Sequence, residues 1–444
     1  MLHILQKTFK GGIHPPENKD ISAAKPIERL PLPGYVVIPL QQHIGKLSEA
    51  LVQAGDDVVT GQPVSKASGF VSLPSHSSIS GKVKSIESFP HPLGQKVPSV
   101  IIEGDGEDRM SEQIKFQADY MSLPPDEMKR RITEAGIAGM GGATFPTHVK
   151  LSPPQDKPID TVILNGAECE PYLTADHRLM IEHTEEIVEG FRIILRILGV
   201  SRGIIAIEKN KPDAIFLFEK FTKDDPNLEL LPLKVKYPQG AEKQLIFAST
   251  GRRVPAGKLP MEVRCLVHNV GTAKAIYEAV AYQKPLIERV VTVTGAVKEP
   301  KNIRARIGTP LRNLIEFCGG FVGTPGKVIM GGPMMGVAQY TIDVPVIKGT
   351  SGVVVLPSEQ VREMRLQPCI NCGRCVKVCP MNIMPNLAAT YIENNLWEEA
   401  KSAGALDCME CGSCGYVCPA GRNILHNIRF GKFMILEQEK ASKN

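Results

Sequence analysis

The chain has 444 residues, and a length of this order is divided among several hydrophobic cores rather than one. Its 52 basic and 47 acidic side chains leave a net charge of only +5, and no dense Lys/Arg run with interleaved aromatic residues is present, which argues against a nucleic-acid partner. No apolar run approaches the roughly 18 residues that cross a bilayer, and the first residues carry no long apolar segment, so we expect neither a membrane span nor export.

The N-terminal part of the chain predicts an all-β module. Residues 52–64 are followed by two shorter apolar runs, 71–76 and 79–83, and short strands with Gly-Asp and Ser-Gly turns are typical of a β-sandwich. The pattern is similar to the barrel-sandwich hybrid of biotinyl and lipoyl carrier domains. The hairpin at 67–72 has no lysine at its tip to carry a prosthetic group. We therefore expect a structural or docking module rather than a carrier.

A glycine-rich turn follows at residues 139–150, with the sequence GMGGATFPTHVK. Backbone amides of such a turn can approach a phosphate closely, and Phe145 could stack on a planar ring. The turn alone is a weak signal, because a plain glycine-rich loop is about as common.

The residues after this turn predict a βαβ unit. Residues 161–165 and 203–207 are expected to be buried strands, with a helix over 181–198 between them. Strand, helix and strand at this spacing indicate a parallel sheet, whose ligands bind at the carboxyl ends of the strands. Residues 166–171 follow the first strand and belong to that edge.

These segments resemble the flavin- and NADH-binding subunit of respiratory complex I, whose glycine loop is followed by an Asn-Ala-Asp-Glu-x-Glu-Pro motif. Residues 237–245 look like that family's Gly-Glu-Glu turn, and residues 268–272 look like its Asn-Asn-Val-Glu-Thr motif. Four segments in the same order are much more specific than the glycine loop alone. Four positions of the first motif are matched in register: Asn165, Glu168, Glu170 and Pro171.

The resemblance implies two sets of ligand contacts. Six residues would contact FMN: Gly139, Gly141, Gly142, Lys150, Asn165 and Asn269. Phe145 would stack on a nicotinamide nucleotide, whose site three carboxylates would line: Glu168, Glu170 and Glu242. Without the ordered motifs, the glutamates would be interpreted as solvent-facing loop residues. The chain departs from the family where the family has aspartate, arginine and glycine, at Ala167, Met140 and Thr144.

The next part of the chain predicts another small unit. Residues 289–300 begin with a strand, residues 309–320 are typical of a capped helix that ends in glycine, and residues 353–357 are expected to be a buried strand. This order resembles the soluble-ligand-binding β-grasp (SLBB) domain, which also follows the flavin domain in complex I. The turn at 330–336 is either a close backbone approach to the flavin domain or a tight loop.

Eight of the 11 cysteines fall in two runs, 369–380 and 408–419, each with the spacing C-x2-C-x2-C-x3-C-P. In a large chain without a signal peptide, such clustering indicates metal binding rather than a disulfide framework. The spacing is that of two-cluster ferredoxins, where the fourth cysteine of each run ligates the other cluster. Zinc sites are the alternative, but they generally use two C-x2-C pairs. Cys169, with no histidine nearby in sequence, is expected to be inert.

The ferredoxin rule assigns the thiolates to two [4Fe–4S] clusters. One cluster takes Cys369, Cys372, Cys375 and Cys418. The other takes Cys408, Cys411, Cys414 and Cys379. A helical pattern over 387–403 indicates an α-helical ferredoxin module. Residues 424–440 predict a last helix that either docks on a partner or is a plain surface helix.

Taken in order, the whole chain resembles the RnfC family of NADH-side subunits of bacterial Rnf complexes. Residues 11–19 and 39–45 look like the start of that family. The resemblance implies a multidomain α/β plus β protein of four units. They are a barrel-sandwich hybrid (1–120), a Rossmann-like, complex-I-type flavin domain (121–285), an SLBB β-grasp domain (286–355) and an α-helical double-cluster ferredoxin domain (356–444).

The same resemblance implies an electron-transfer subunit of an ion-translocating ferredoxin:NAD⁺ oxidoreductase. Its cofactors would be non-covalent FMN, NAD(H) and two [4Fe–4S] clusters, because a flavin is needed to split a hydride's electron pair between one-electron clusters. Its partners would be the other Rnf-type subunits, with ferredoxin reached through one of them. Those subunits would hold it at the cytoplasmic face of the bacterial cell membrane. No general base or nucleophile is expected.

Three alternatives stay open at this point. A cobalamin reductase of propanediol-utilising compartments is built from the same parts, but its sandwich module lies C-terminal. The related subunit of the Na⁺-translocating quinone reductase lacks the double cysteine run. The third alternative is a docking and electron-relay protein without a flavin, motivated by Ala167 and Met140.

Overall fold

The computed structural model describes residues 7–361 and 367–442. The first residues, on which the expectation about export rests, lie outside these ranges. Within them, no helix combines the length and the apolar character needed to cross a bilayer.

The N-terminal module is a β-sandwich, as expected. It is preceded by α1 (Asp20–Ala23) and β1 (Ile27–Arg29) and contains β2 (Tyr35–Pro39), β3 (Glu49–Ala50), β4 (Asp57–Val58), β5 (Ser65–Lys66), β6 (Gly81–Pro90) and β7 (Lys96–Gly104). One sheet has the order β2–β7–β6–β4, and the pair β3–β5 forms the other. Its apolar core continues into that of the second module without a break, so the two modules pack as one body.

The second module is a parallel four-stranded sheet with helices on its faces. The strands are β8 (Thr161–Gly166), β9 (Gly203–Glu208), β10 (Leu228–Leu233) and β11 (Cys265–Asn269), in the order β10–β9–β8–β11. Nearly every residue of β8, β9 and β11 is buried, as a sheet covered on both faces requires. The helices are α2 (Pro125–Glu134), α3 (Thr147–Lys150), α4 (Ala175–Glu182), α5 (Thr184–Leu198), α6 (Pro212–Thr222), α7 (Glu242–Thr250) and α8 (Val270–Tyr282).

The expected single helix over 181–198 is wrong in its extent. Two helices, α4 and α5, meet at His183, whose φ of −135° and ψ of 33° are not helical. The His183 ring is held by Glu186 at 3.1 Å and by the Arg304 guanidinium at 2.7 Å. Because Arg304 belongs to another module, the break depends on a tertiary contact and not on a local breaker residue.

The third module is a six-stranded sheet with one helix. It consists of β12 (Glu288–Gly295), β13 (Lys301–Arg306), α9 (Leu311–Phe317), β14 (Pro325–Met330), β15 (Val337–Ala338) and β16 (Gly352–Pro357). The order is β1–β13–β12–β16–β14–β15. The predicted strand 353–357 and the predicted helix are confirmed by β16 and α9. The sheet also takes β1 from the segment that precedes the sandwich.

The C-terminal module is α-helical. Its elements are α10 (Arg374–Val378), α11 (Pro385–Glu393), α12 (Trp397–Ser402), α13 (Ser413–Tyr416) and α14 (Ile424–Ala441). The helical linker predicted between the cysteine runs is two short helices, separated at Asn395, which has a φ of 57°. The predicted C-terminal helix is α14, whose Ile428 packs with Ala388 and Ile392 of α11.

Residues 7–29, which we call the N-terminal strap, touch the three modules after the sandwich. The Gly12 N–H donates to the Val378 carbonyl at 2.8 Å in the C-terminal module, and the Ile13 N–H donates to the Tyr237 carbonyl at 2.8 Å. β1 adds to the third module's sheet by pairing in parallel with β13. The strap therefore fixes the modules relative to one another.

Candidate functional site

The glycine loop lies across the first turn of α8. The Met140 N–H donates to the Thr272 hydroxyl at 2.9 Å, and a Cβ on Gly141 would come within 2.8 Å of the Asn269 Cβ. Residues 141–143 are exposed, and a Cβ on Gly142 would meet nothing within 4 Å. The Gly139 N–H donates to the Phe145 carbonyl at 2.8 Å and closes the loop, with the Phe145 side chain half-buried. The loop thus presents open backbone to solvent above a helix N-terminus.

Two asparagines stand side by side next to this loop. Asn165 and Asn269 are register partners at the carboxyl ends of the adjacent strands β8 and β11. Asn165 donates to the Gly240 carbonyl at 2.8 Å, and Asn269 caps α8 by accepting from the Gly271 N–H at 2.8 Å. These positions form the edge of a parallel sheet where ligands bind.

Lys150 lies on the same side of the sheet. Its Nζ donates to Glu242 Oε1 at 2.8 Å and to the Val267 carbonyl at 2.6 Å. Both side chains are partly exposed. The structure therefore brings together eight of the ten predicted cofactor-binding residues around one edge: Gly139, Gly141, Gly142, Phe145, Lys150, Asn165, Glu242 and Asn269.

The other two predicted residues, Glu168 and Glu170, are engaged by the protein itself. Glu168 accepts from the Asp176 N–H at 2.8 Å and thereby caps α4. Glu170 accepts from the N–H groups of Met334 and Met335, at 3.1 and 2.9 Å. Burial raises the pKa of Glu170 to about 7, against the lowering effect of these donors. Neither carboxylate faces the open glycine loop in this arrangement.

The contacts of Glu170 settle the interpretation of the turn at 330–336. Of the two interpretations, the close backbone approach to the flavin domain is the correct one, because this turn supplies both N–H donors. A Cβ on Gly332 would come within 2.1 Å of the Glu170 carboxylate. Only glycine lets the two modules meet here.

Three further residues around the site were not singled out from the sequence. Asp176 accepts from the Asn269 amide at 2.6 Å, and burial together with the Glu168 charge raises its pKa to about 7. Lys19 of the strap donates to the carbonyls of Glu168 and Glu170, at 2.7 and 2.9 Å. Tyr237 donates to the Cys411 carbonyl at 2.8 Å. Each contact joins distant parts of the chain, so no local pattern could identify it.

The sandwich module borders the glycine loop as well. Phe70, at the tip of the hairpin without a lysine, packs edge-on against His148 of α3 with 5.7 Å between the ring centroids, and its carbonyl lies 2.8 Å from His148 Nε2. The Ile44 N–H donates to the Thr144 carbonyl at 3.3 Å. The hairpin thus docks on the flavin domain, as expected for a module without a swinging arm.

Cys169 lies beneath the site and is not exposed as a nucleophile. Its sulfur accepts from the Gly240 N–H at 3.3 Å. Burial raises the pKa of the Cys169 thiol well above its ordinary value, which keeps it protonated. This agrees with the expectation that Cys169 is inert.

The first set of cysteines shares one cavity of about 360 Å³. No carboxylate or histidine side chain is among the residues that line it, and all four predicted ligands of one cluster are: Cys369, Cys372, Cys375 and Cys418. A purely thiol donor set of this kind fits an iron–sulfur cluster. Cys372 is exposed, so this set lies at the surface.

The second set lies against the flavin module. Burial raises the pKa of Cys408 to about 11, and the neighbouring Cys411 and Cys379 add to the rise, which puts these thiols close together. The pKa of Cys414 is raised by burial and by three sulfurs, those of Cys408, Cys411 and Cys379. The Gln244 amide donates to the Pro380 carbonyl at 3.1 Å, next to Cys379.

Four known domain families match the chain in the expected order. They are "RnfC Barrel sandwich hybrid domain" at residues 7–107, "Nuo51 FMN-binding domain" at 132–278, "SLBB domain" at 290–338 and "4Fe-4S dicluster domain" at 363–419. The fold class predicted from the sequence is therefore confirmed, and the chain carries an FMN-binding domain and an iron–sulfur domain. The finer boundaries between the units remain predictions.

Relatives match over nearly the whole chain. It is 48% identical to the RnfC subunit of the "Na(+)-translocating ferredoxin:NAD(+) oxidoreductase complex" of Acetobacterium woodii, over 99% of both chains. It is 50% identical to the corresponding subunit of the proton-translocating complex of Clostridium ljungdahlii, over 96% of this chain and 93% of that one. It is 41% identical to the corresponding subunit of the "Ion-translocating oxidoreductase complex" of Rhodobacter capsulatus, over 99% and 85%.

Among solved structures, an NAD⁺-reducing [NiFe]-hydrogenase in the air-oxidised state is similar, with a TM-score of 0.50. The sequence identity is 19%, over 71% of this chain and 62% of that chain. This likeness concerns the fold alone.

Proposed function

The chain belongs to the RnfC family, whose members are subunits of ion-translocating ferredoxin:NAD⁺ oxidoreductase complexes, and on that basis we propose that it is the subunit at which such a complex exchanges electrons with NAD(H). One observation carries the proposal. The edge of the sheet where Asn165 and Asn269 stand side by side lies in the matched FMN-binding domain, and that domain directly contacts the second cysteine set through Tyr237.

The residues around this edge fit FMN by their chemistry. The exposed amides of residues 141–143 and the N-terminus of α8 suit a phosphate, and the Lys150 ammonium adds a positive charge beside them. When bound, FMN would take a hydride from NADH and release its electrons one at a time. The proposed FMN contacts are Gly139, Gly141, Gly142, Lys150, Asn165 and Asn269.

The nucleotide is proposed to bind beside the flavin, with Phe145 as its stacking partner and Glu242 at the rim. Glu168 and Glu170 complete the proposed set, and their part depends on giving up the backbone donors that now hold them. Since Met334 and Met335 provide two of those donors, a shift of the turn at 330–336 would release Glu170.

The eight thiolates are proposed to hold two [4Fe–4S] clusters that pass single electrons between the flavin and a partner. The set with Cys379, Cys408, Cys411 and Cys414 is nearer to the flavin domain, because Tyr237 and Gln244 contact its loops. The set with Cys369, Cys372, Cys375 and Cys418 is the outer one. Other subunits of the complex are its proposed partners, with ferredoxin reached through one of them, at the cytoplasmic face of the cell membrane.

The test is anaerobic purification, restoration of iron, sulfide and FMN, and addition of NADH or NADPH while the visible spectrum is recorded. We expect flavin and cluster absorbance to bleach with NADH and scarcely with NADPH. If dithionite reduces the clusters while NADH bleaches nothing, the nucleotide site does not function. The flavin-less relay protein, which the engaged state of Glu168 and Glu170 favours, would then be the better description.

Iron content tests the proposal of two clusters. The holoprotein is expected to bind about eight iron atoms per chain, and Cys372→Ser and Cys411→Ser are each expected to lose about half of them. Cys318→Ser is the matched control, because this cysteine is buried in the third module. A loss of all iron in either variant would contradict two separate clusters.

A further inference from the structure

The surface over the outer cysteine set is open and partly apolar. Cys372 is exposed, and the neighbouring Ile370 exposes 65% of its surface. Val376 of α10 exposes 38% beside them. A redox centre can exchange electrons with another protein only where that protein comes close to it, and this face offers the outer set such an approach.

The charged side chains on this face are all basic. Arg374 and Lys377 are exposed on α10 and form no ion pair with any described residue. Lys10 of the strap is exposed at its edge, two residues before Gly12, which bonds to Val378 at the end of α10. Residues 367–392 and 411–436, which form both sides of the outer set, contain no aspartate or glutamate.

The carboxylates of this module are held elsewhere. Glu393 pairs with the buried Arg422, and Glu410 pairs with Arg429 and Lys432 at 3.0 and 2.7 Å. These pairs neutralise one another within the module. The cations of α10 are left without such partners, so their charge is available to an incoming protein.

We propose that this face, with Ile370 and Val376 at its centre and Arg374, Lys377 and Lys10 around it, docks an electron-transfer protein whose own cofactor is surrounded by carboxylates. The proposal rests on the proposed function, in which the outer thiolates hold a cluster. One electron passes between the reduced cluster and the partner's oxidised cofactor, with no bond made or broken. A small apolar centre with a charged rim suits a transient contact, in which charge speeds association more than it tightens binding.

Stopped-flow mixing tests the sign of this surface. The reconstituted full-length protein, reduced beforehand, is mixed with flavodoxin as an acidic one-electron acceptor or with cytochrome c as a basic one. We expect the second-order rate with flavodoxin to fall about three- to tenfold between about 20 and 200 mM salt, as screening removes the attraction. The rate with cytochrome c is expected to rise or stay flat. The opposite pair of salt dependences would overturn the proposal.

The variant Lys377→Glu locates the effect. It is expected to slow the flavodoxin reaction about three- to tenfold at low salt and to flatten its salt dependence. Lys96→Glu is the matched control, because Lys96 is an exposed lysine of the sandwich strand β7. Iron content and the rate of bleaching by NADH must be unchanged in both variants. Equal behaviour of the two variants would place the docking surface elsewhere.

Two further measurements separate this proposal from its neighbours. Reduction with dithionite instead of NADH leaves the docking test intact if the nucleotide site fails. Sedimentation with vesicles of anionic phospholipid tests the other acidic surface that a basic face could meet. If Lys377→Glu abolishes vesicle binding and leaves the flavodoxin rate unchanged, the face contacts lipid, and the docking proposal is wrong.

Discussion

Gly141 lies where the glycine loop crosses the first turn of α8, and the space beside it is already filled. Gly141→Ala would place a Cβ within 2.8 Å of the Asn269 Cβ, an atom close to the backbone that cannot swing aside. We expect the loop to lift from α8 and FMN affinity to fall about tenfold or more, which corresponds to about 1.4 kcal/mol. The FMN content of the purified protein and titration with FMN measure this.

Ala143→Ser is the control for that substitution, since residue 143 is exposed in the same loop. Its FMN affinity should stay close to that of the parent protein. Equal affinity of Gly141→Ala and the parent would mean that the loop's seat on α8 does not shape the flavin site.

Lys348 is a fully buried amine at the junction of three modules. Its Nζ donates to the carbonyls of Pro74 and Gly136, at 2.8 Å each, and burial lowers its pKa to about 7. Between pH 7 and 10.5 the unfolded chain therefore keeps a proton that the folded chain has released. The free energy of unfolding consequently rises with pH in this window.

We expect the free energy of unfolding of the parent protein, relative to that of Lys348→Met, to increase from about pH 7 to about pH 9. Urea unfolding at several pH values checks this, and taking the difference between the two proteins cancels the other titrating groups. Lys327→Met, at an exposed position in β14, should show a difference that does not change with pH. A pH-independent difference for Lys348→Met would mean that the amine stays charged in the fold.

At the scale of elements, the flavin module meets the inner cysteine loop through one side chain. Tyr237 is 2% exposed, and its hydroxyl donates to the Cys411 carbonyl and lies 3.3 Å from Glu170. Tyr237→Phe keeps the ring and removes the bond. We expect a loss of about 0.5–1.5 kcal/mol in the free energy of unfolding and an altered electron paramagnetic resonance spectrum of one reduced cluster.

Tyr416→Phe is the matched control, because Tyr416 lies between two cysteines of the second run but is 53% exposed. Its spectrum and stability should stay as in the parent. If both variants leave the spectrum unchanged, the bond to Cys411 has no influence on the inner cluster.

The sequence predicted those elements and groupings that depend on neighbours along the chain. The cysteine spacing is a local rule, and the four thiols of the outer set do line one cavity. Strands β8, β9 and β16 follow from apolar runs. The break between α4 and α5 could not be predicted, because it depends on Arg304.

The candidate site was predictable in its position and less so in its contacts. Asn165 and Asn269 could be placed at one edge because both follow buried parallel strands. The partners of Glu168 and Glu170 come from the strap and from the third module, far away in the chain. No pattern in the flavin motifs indicates that those carboxylates are held by Lys19, Met334 and Met335.

At the scale of the whole molecule, Lys19 ties the N-terminal strap to the flavin module. Its Nζ donates to three backbone carbonyls, those of Glu168, Glu170 and Leu173. Lys19→Met would leave these carbonyls without their donor in a largely buried place. We expect the free energy of unfolding to fall on the order of 3 kcal/mol and the rate of reduction by NADH to fall as the loop loosens.

Lys25→Met is the comparison within the same strap, since Lys25 donates to a single carbonyl, that of Pro300 in the third module. It should cost less stability and leave the NADH reaction unchanged. Urea unfolding and stopped-flow reduction measure both effects. Equal losses in the two variants would show that the strap acts through its general attachment and not through the loop at 168–173.

The strap also sets an order of events during synthesis on the ribosome. Gly12 leaves the exit tunnel among the first residues, while its partner Val378 belongs to the last quarter of the chain. A contact between such distant residues closes late, after the intervening parts have folded. The outer end of the strap therefore stays open in every nascent chain until the ferredoxin part has emerged. A truncated product would keep that end loose, and a protease could distinguish it from the finished protein.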